Sequence, residues 1–185
     1  TDLFFKYHPN TIAVTGTKGK STTSSLIAHL LSAKVPCRLA GNIGLPLMEV
    51  VPDLQDSTVV VAEVSSHQAE SIKHAAHVSV VLNLFQEHLD HYNSLEEYHR
   101  AKLNLFKYQV PGDIAIFHAD DVYLQKYLSE TTLEQSVFTF SLEHPVQRGC
   151  YKQGEHILFT DGGEGSLYPI SMVPLKGEHN LLNVM

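Results

Sequence analysis

Eight consecutive residues near the start of the chain combine glycines, lysines and hydroxyl side chains in an order typical of a phosphate-binding loop. They are Thr15, Gly16, Thr17, Lys18, Gly19, Lys20, Ser21 and Thr22. Because an apolar run precedes them and a helical pattern follows, the loop is predicted to join a strand to a helix. Glycine lets the backbone turn its N–H groups toward a phosphate, and the helix N-terminus adds positive potential. We expect nucleotide binding, with Lys20 on the outer phosphates and Ser21 on Mg²⁺.

The loop departs from the longer phosphate-binding pattern at one position, where this chain has Val14 instead of glycine. The match is therefore to the shorter order Thr-Gly-Thr-x-Gly-Lys-Ser/Thr. A plain turn rich in Gly, Ser and Thr is the alternative. The position of the loop between a strand and a helix favours a nucleotide phosphate.

An acidic residue, Glu63, ends the apolar run Val59–Ala62. Ligands of open α/β sheets bind beyond the carboxyl ends of the strands, where Glu63 and the phosphate-binding loop would both lie. A carboxylate at that edge is suited to Mg²⁺ or to its bound water. In the alternative interpretation, Glu63 caps the helix that begins near Ser65 or Ser66.

A third polar segment, Glu87–Tyr92, follows the strand pattern Val78–Asn83. From this position His88 or Asp90 could bind a second metal ion. The chain contains 12 histidines, so a histidine-rich segment by itself does not distinguish a metal ligand from a surface residue.

Lys102 interrupts the apolar stripe of a helix predicted over Leu95–Phe106. Helical spacing puts its ammonium group on the inward face, together with Tyr98 and Leu105. A buried ammonium must be paired or chemically changed, because desolvation disfavours the charged form. The alternative is a lysine whose stem packs inside while its head reaches water. The residues alone leave both possibilities open.

Two further groups of amide side chains could contact a ligand. Asn42, in the segment Gly41–Gly44 after the strand pattern Arg38–Ala40, could hydrogen-bond a substrate, unless the segment is only a glycine turn. Asn180 and Asn183 lie three residues apart on a final helix, so both amides could read a purine edge. An N-cap and a surface asparagine would explain this pair equally well.

Apolar β-branched runs alternate with helical patterns and predict a mostly parallel α/β sheet with flanking helices. Strands are predicted near Thr11–Thr15, Arg38–Ala40, Thr58–Glu63, Val78–Asn83 and Ile114–Phe117. Helices are predicted near Lys20–Ala33, Ser66–His74, Leu95–Phe106 and Asp121–Leu128. The third and fourth strands are apolar almost throughout, so both should be central in the sheet.

The pattern changes after about Val137, where short apolar segments are separated by glycine-rich turns. These segments are Val137–Phe140, His156–Phe159 and Leu167–Ile170. They predict antiparallel hairpins that form a small sheet near the C-terminus.

The composition is that of one globular domain, with 185 residues, 43% hydrophobic content and 18% charged residues. The net charge of −7, without a Lys/Arg stripe, argues against a nucleic-acid-binding surface. No stretch has the length of a membrane span or the form of a signal peptide. Cys37 and Cys150 have no neighbour at metal-ligand spacing, which favours inert thiols in a reducing compartment. We expect a cytoplasmic monomer excised from a longer protein, since the chain begins at Thr1 and ends within a helical pattern.

Taken together, these motifs resemble the central, ATP-binding domain of the Mur ligases, which form the amide bonds of the peptidoglycan peptide. The resemblance extends from Thr11 to Met185 and rests on separated motifs in the same order. They are Thr15–Thr22, Ala62–Gln68, Asn83–Asp90, Ala101-Lys102 and Gly177–Asn183.

The resemblance implies roles for the residues that match. Lys20 and Ser21 would hold the ATP phosphates and a first Mg²⁺, with Glu63 as the carboxylate ligand of that ion. His88 would bind a second Mg²⁺. Lys102 would be carbamylated by CO₂, which replaces the buried ammonium with a carboxylate-like group near the second metal.

The family also implies the remaining contacts and the reaction. Asn180 and Asn183 would lie near adenine, and Asn42, Ser65 and Ser66 would contact the substrate. The ATP γ-phosphate would move to a carboxylate of a UDP-MurNAc-type nucleotide, and an amino acid would then attack the acyl phosphate. Family members have a UDP-binding domain before this one and an amino-acid-binding domain after it.

The motifs are shared by several members of the family and do not single out one of them. Gly41–Gly44 and the pattern Ser65-Ser66-x-Gln68 most resemble the D-glutamate-adding ligase. His67 stands where that ligase more often has an aromatic residue, and Ser-Ser-His is also similar to ligases that add diaminopimelate or lysine. Enzymes similar to folylpolyglutamate synthetase share the loop. A small-molecule kinase would need neither the second metal site nor Lys102, and a nucleotide-binding module would show no turnover.

Overall fold

The computed structural model describes residues 1–86 and 91–185. Within these ranges, helices cover both faces of one nine-stranded sheet. The strands are β1 (Thr11–Thr15), β2 (Cys37–Gly41), β3 (Val59–Glu63), β4 (Val78–Val81), β5 (Ile114–His118), β6 (Ser136–Ser141), β7 (Arg148–Gln153), β8 (His156–Asp161) and β9 (Ser166–Pro169). The α-helices are α1 (Asp2–Tyr7), α2 (Lys20–Ser32), α3 (Leu47–Val50), α4 (Ser66–Glu70), α5 (Leu95–Lys107), α6 (Val122–Glu130) and α7 (Glu178–Val184). Short 3₁₀ helices cover Val51–Asp53 and Ile170–Met172.

The strand order is β2-β3-β1-β4-β5-β6-β7-β8-β9. Neighbouring strands are parallel from β2 through β7, while β8 and β9 are antiparallel to their neighbours. The predicted mostly parallel α/β sheet is therefore confirmed. Because β1 lies between β3 and β4, the residues that follow these three strands meet at one edge of the sheet.

The central strands are apolar throughout because both of their faces are buried. On β3, Val60 and Ala62 belong to one core cluster, which also contains Phe4 and Leu105. Val61, between them, belongs to a second cluster on the other face of the sheet. On β4, Val80 and Val81 alternate between two clusters in the same way. Both strands also have a neighbour on each side, which confirms the prediction that the third and fourth strands are central.

The antiparallel hairpins predicted near the C-terminus are confirmed for β7–β8 and β8–β9, and they extend the main sheet instead of forming a separate one. The expected hairpin of Val137–Phe140 is wrong, because β6 runs parallel to both β5 and β7. A crossover through α6 connects β5 to β6, which is the usual way to make two neighbouring strands parallel.

Asp120 holds the connection between β6 and β7. Its carboxylate accepts hydrogen bonds from Ser141 Oγ at 2.6 Å and from the Leu142 main-chain N–H at 2.8 Å. Burial opposes ionisation, but these hydrogen bonds outweigh it and lower the pKa of Asp120. The ionised carboxylate thus fixes the tight return of the chain to β7.

The fourth helix is shorter than its pattern predicts, since α4 ends at Glu70 rather than near His74. The side chain of Asp2 accepts hydrogen bonds from the main-chain N–H groups of Lys73 and His74, at 2.6 and 2.8 Å. Because these two N–H groups donate to Asp2 on α1, they are not available for the helical hydrogen bonds that would extend α4. The contact is between residues far apart in sequence, so periodicity could not reveal it.

Two sequence expectations concern the chain as a whole. In the described part, no helix combines the length and the apolar character needed to cross a lipid bilayer. Cys37 and Cys150 are free and half-buried, and burial raises the pKa of both thiols. A raised pKa lowers the thiolate fraction, in keeping with unreactive side chains.

Candidate functional site

The predicted phosphate-binding loop connects β1 to α2. Gly19 is the N-cap of α2 and has a φ of 85°, a left-handed conformation that glycine adopts without strain. Gly16 packs closely on the end of β4, where an added Cβ would lie 3.0 Å from Leu82 Cβ. The two glycines therefore allow the turn and the close approach that the loop requires.

Asn83, just after β4, holds the loop from the neighbouring strand. Its Oδ1 accepts hydrogen bonds from the main-chain N–H groups of Thr17 and Lys18, at 3.1 and 2.8 Å. Its Nδ2 donates to the Lys18 carbonyl at 3.0 Å. The sequence motifs gave Asn83 no role of its own, although a polar residue after an apolar strand is the signal that could have found it.

Lys20 lies across the loop that it follows. Its Nζ donates to the carbonyl oxygens of Gly16 and Thr17, both at 2.9 Å. Ser21 is exposed in the first turn of α2, next to the helix N-terminus. Thr15 instead donates its buried hydroxyl to the Val64 carbonyl at 2.7 Å, so that hydroxyl joins β1 to the end of β3.

Glu63 is 1% exposed at the end of β3. Asn42 donates its amide N–H to Oε1 at 2.7 Å. The other oxygen, Oε2, is buried and has no hydrogen-bond partner within residues 1–86 and 91–185. An unpartnered buried carboxylate oxygen is costly, and a divalent cation would satisfy it. The donor set therefore fits a hard cation such as Mg²⁺.

The helix-cap interpretation of Glu63 is wrong. Ser65 is the N-cap of α4, and its hydroxyl accepts a hydrogen bond from the Gln68 main-chain N–H at 3.2 Å. Gln68 Oε1 accepts in turn from the Ser65 N–H at 2.9 Å, which completes a capping box. The Ser65 hydroxyl is thus used by the helix, while Ser66 is buried beside it.

Lys102 lies on the inward face of α5 and is 1% exposed. Its Nζ donates to the Gly16 carbonyl at 2.9 Å and lies 4.7 Å from the centre of the Tyr98 ring. The interpretation of a head group that reaches water is therefore wrong. The Tyr98 hydroxyl is 3.2 Å from Thr17 Oγ1. Helix α5 therefore contacts two consecutive residues of the loop, Gly16 and Thr17.

The predicted metal candidates His88 and Asp90 lie outside the described residues. The residue that follows this segment, His91, packs its ring 4.2 Å from that of His67 on α4. Both rings contact Tyr92, at 4.7 and 5.8 Å respectively. Burial raises the pKa of Tyr92. His67, His91 and Tyr92 thus form an aromatic cluster at the start of α4.

A cavity of about 400 Å³ lies between the phosphate-binding loop and α7. Asn180 and Asn183 line it, and Asn183 Oδ1 accepts a hydrogen bond from Thr23 Oγ1 at 3.3 Å. Asn180 donates to the Lys176 carbonyl at 2.8 Å. The volume is in the range of small-molecule sites.

Sequence reasoning missed the aromatic wall of this cavity. His118 stacks on Phe140, with ring centres 5.1 Å apart and an angle of 3° between the planes. Phe85 and His179 also line the cavity. His118 ends β5 at the carboxyl edge of the sheet, and that position was the available signal.

Most of the predicted site residues meet at the carboxyl ends of β1, β3 and β4. This arrangement defines the class of the protein, an α/β domain of the phosphate-loop type. Residues 14–185 match the family described as Mur ligase middle domain, and the chain belongs to that family.

Curated relatives of this chain share one description, UDP-N-acetylmuramoylalanine–D-glutamate ligase. The relative from Syntrophus aciditrophicus is 38% identical over 177 residues, which cover 94% of this chain and 39% of that protein. The relative from Acetivibrio thermocellus is 34% identical over 187 residues, which cover 100% of this chain and 40% of that protein. The chain therefore spans about two fifths of the length of the relatives it matches.

Solved structures support the fold. MurF from Acinetobacter baumannii gives a TM-score of 0.70 at 20% identity, covering 97% of this chain and 42% of that one. MurF ligase from Thermotoga maritima, solved in complex with ADP, gives a TM-score of 0.71 at 21% identity, covering 99% of this chain and 45% of that one. At this level of identity the likeness concerns the fold alone.

Proposed function

We propose that this chain is the ATP-binding domain of a Mur ligase that adds D-glutamate to a UDP-MurNAc-linked carboxylate. The observation that carries the proposal is the group of charges at the loop. The Nζ atoms of Lys20 and Lys102 meet at the Gly16 carbonyl. At the end of the adjacent strand, the buried Glu63 carboxylate has one oxygen without a hydrogen-bond partner among the described residues. The names of the curated relatives support D-glutamate as the amino acid.

The chemical difficulty of such a reaction is that one anion must approach another. The carboxylate oxygen of the acceptor attacks the γ-phosphorus of ATP, the bond to the ADP oxygen breaks, and an acyl phosphate forms. The amine then attacks the acyl carbon, phosphate leaves and the amine loses a proton. Lys20 would stabilise the negative charge on the transferring group, and positioning with electrostatics would provide the rate.

Glu63 and Ser21 would hold one Mg²⁺, which would neutralise phosphate charge when bound. Asn42 would fix the orientation of the Glu63 carboxylate, because it donates to Oε1 and leaves Oε2 for the ion. A second Mg²⁺ at His88 and a carbamylated Lys102 are parts of the same proposal. The cavity lined by Asn180 and Asn183 would take the adenine base.

The rest of the reaction would use parts of the protein beyond these 185 residues. A preceding domain would bind the UDP group, and a following domain would bring the amino acid. A related ligase that adds a diamino acid is the second candidate, favoured by His67, an exposed imidazole at the start of α4 beside Ser66.

Substitution of Lys20 tests the proposal in the full-length enzyme. Lys20→Ala should lower ADP release by at least about 100-fold, because one charge on the transferring phosphate is lost. The melting temperature should change little, since the hydrogen bonds of the Lys20 side chain within the described residues go to loop carbonyls. Lys34→Ala, an exposed lysine just after α2, is the matched control and should retain wild-type turnover.

Wild-type enzyme should release ADP only when both the UDP-linked acceptor and D-glutamate are present. A diamino acid that replaces D-glutamate with equal efficiency would favour the second candidate. Near wild-type turnover in folded Lys20→Ala would contradict the role of the loop.

A further inference from the structure

A groove between α5 and α6 lies on a different face of α5 from Lys102. Its volume is about 280 Å³. Among the described residues, none that lines this groove also lines the cavity beside the phosphate-binding loop. The groove is therefore lined by a different set of residues from the cavity beside the loop.

His99 contributes a polar group to the groove that nothing in the described chain satisfies. His99 is buried, with 7% of its surface exposed. Its Nε2 has no hydrogen-bond partner within residues 1–86 and 91–185. Burial lowers the pKa of His99, so the imidazole is neutral at pH 7. Contact with the Phe85 main chain opposes this shift of the pKa, as a carbonyl that accepts from a ring N–H does. The Phe85 N–H is used by Thr17, so we assign the ring proton to Nδ1, facing the Phe85 carbonyl. Nε2 is then an acceptor without a donor, which is rare in a buried position.

The walls of the groove are apolar and aromatic. The Tyr123 ring centre is 4.5 Å from that of His99, at an angle of 60°. Leu84, Leu103 and Tyr127 complete the walls. Such a surface favours a flat ring over a flexible chain, because planar groups pack on aromatic faces without loss of rotamer freedom.

The rim of the groove has an excess of one positive charge in a chain of net charge −7. Three cations, Arg100, Lys107 and Lys126, line it against two carboxylates, Glu96 and Glu130. Lys126 is 4.0 Å from Glu130, one turn away on α6, so Arg100 and Lys107 are the cations best placed to meet an anion.

We propose that the α5–α6 groove binds a small planar heteroaromatic acid. The ring N–H of the ligand donates to His99 Nε2, the ring packs beside Tyr123, and the carboxylate lies at Arg100 and Lys107. Tyr123 is 41% exposed in the first turn of α6, and rotation of its side chain gives the ligand access to the imidazole.

The same histidine connects the groove to the phosphate-binding loop. Phe85, which contacts His99, donates its main-chain N–H to Thr17 Oγ1 at 2.9 Å. A ligand that fixes His99 therefore fixes a contact of the loop and changes nucleotide affinity. This coupling rests on the proposed nucleotide function, whereas binding in the groove does not.

The test uses indole-3-propionate as the probe, titrated into full-length protein without nucleotide and followed by calorimetry. Saturable binding is expected. The affinity should fall about tenfold for 1-methylindole-3-propionate, which lacks the N–H donor, and for His99→Leu. Arg100→Gln should weaken binding several-fold, while Arg38→Gln, an exposed arginine on β2, should bind as wild type does.

Equal affinity for the two probes would overturn the proposal, as would wild-type affinity in folded His99→Leu or absence of saturable binding. Should His99→Leu not fold, the methylated probe and Arg100→Gln still decide the result on stable protein. A second titration measures ATP affinity with and without the probe, and a shift of a few-fold supports the coupling. Absence of any ATP binding would contradict the proposed function and leave the result for the groove intact.

Discussion

Two lysine side chains with separate origins meet at one backbone atom. Lys20 begins the helix after the loop and Lys102 lies on α5, yet each Nζ is 2.9 Å from the Gly16 carbonyl oxygen. Two ammonium groups would both stabilise an anion bound at the loop, whereas a carbamylated Lys102 would be negative and leave Lys20 as the cation of the pair. At the scale of single residues, the charge of Lys102 therefore decides whether one or two cations face the loop.

Glu63 provides the first prediction at this scale. Glu63→Gln removes the charge and keeps the shape, so we expect a several-fold increase in the Mg²⁺ concentration needed for half-maximal turnover. Stability should not fall, because the variant no longer buries an unpartnered charged oxygen. Turnover as a function of Mg²⁺ and a thermal melt measure the two effects.

Glu70→Gln, at the exposed end of α4, is the matched control and should leave the Mg²⁺ midpoint unchanged. An unchanged midpoint in Glu63→Gln as well would show that the carboxylate does not bind the ion.

Lys102 provides the second prediction at this scale. If it is carbamylated, Lys102→Ala should lower turnover by at least about 100-fold. Acetate or formate should restore part of the activity by occupying the space near the proposed second Mg²⁺. Turnover of the full-length variant with increasing acetate measures this effect, and Lys73→Ala, an exposed lysine, should be active without acetate.

An unmodified lysine predicts a different result. Its loss would remove the hydrogen bond to Gly16 and destabilise the loop, and acetate would have no effect. A folded, ATP-binding variant that acetate does not rescue would therefore contradict carbamylation.

At the scale of elements, close packing of β2 on β3 positions Asn42 against Glu63. Gly41, the last residue of β2, has a φ of 110°, and an added Cβ would overlap the Glu63 carbonyl. Gly41→Ala should therefore destabilise the fold by about 4 kcal/mol or more, since the backbone itself must move. Urea denaturation measures the loss.

Gly112→Ala is the control for backbone strain alone. Its φ is 100°, similar to that of Gly41, but among the described residues no heavy atom beyond its chain neighbours lies within 4 Å of the added Cβ. We expect it to cost about 1–3 kcal/mol, the strain of a left-handed conformation. Equal losses of unfolding free energy in the two variants would show that the close contact between Gly41 and the Glu63 carbonyl is not what excludes a side chain at position 41.

At the scale of the whole molecule, one sheet carries the residues that would bind ATP but only part of what a ligase requires. The isolated 185-residue chain should bind ATP weakly and catalyse no amide formation, because the acceptor and amine sites would lie partly in other domains. Calorimetry with ATP and an assay for ADP release measure both properties. Ligase activity from this chain alone would contradict the three-domain proposal.

The sequence by itself determined the local features. The phosphate-binding loop, the acidic end of β3 and the inward position of Lys102 follow from residue order and periodicity over fewer than about 20 residues. The alternation on β3 followed in the same way, because a strand buried on both faces must be apolar throughout.

Only the tertiary structure decided which of these features meet. Lys102 and Gly16 are 86 residues apart, and Asn83 and Thr17 are 66 apart, yet both pairs are hydrogen-bonded. The direction of β6 and the early end of α4 also depend on distant partners. Periodicity reports which face of an element is buried and not what lies opposite it, so contacts between distant residues are fixed only when the strands take their order in the sheet.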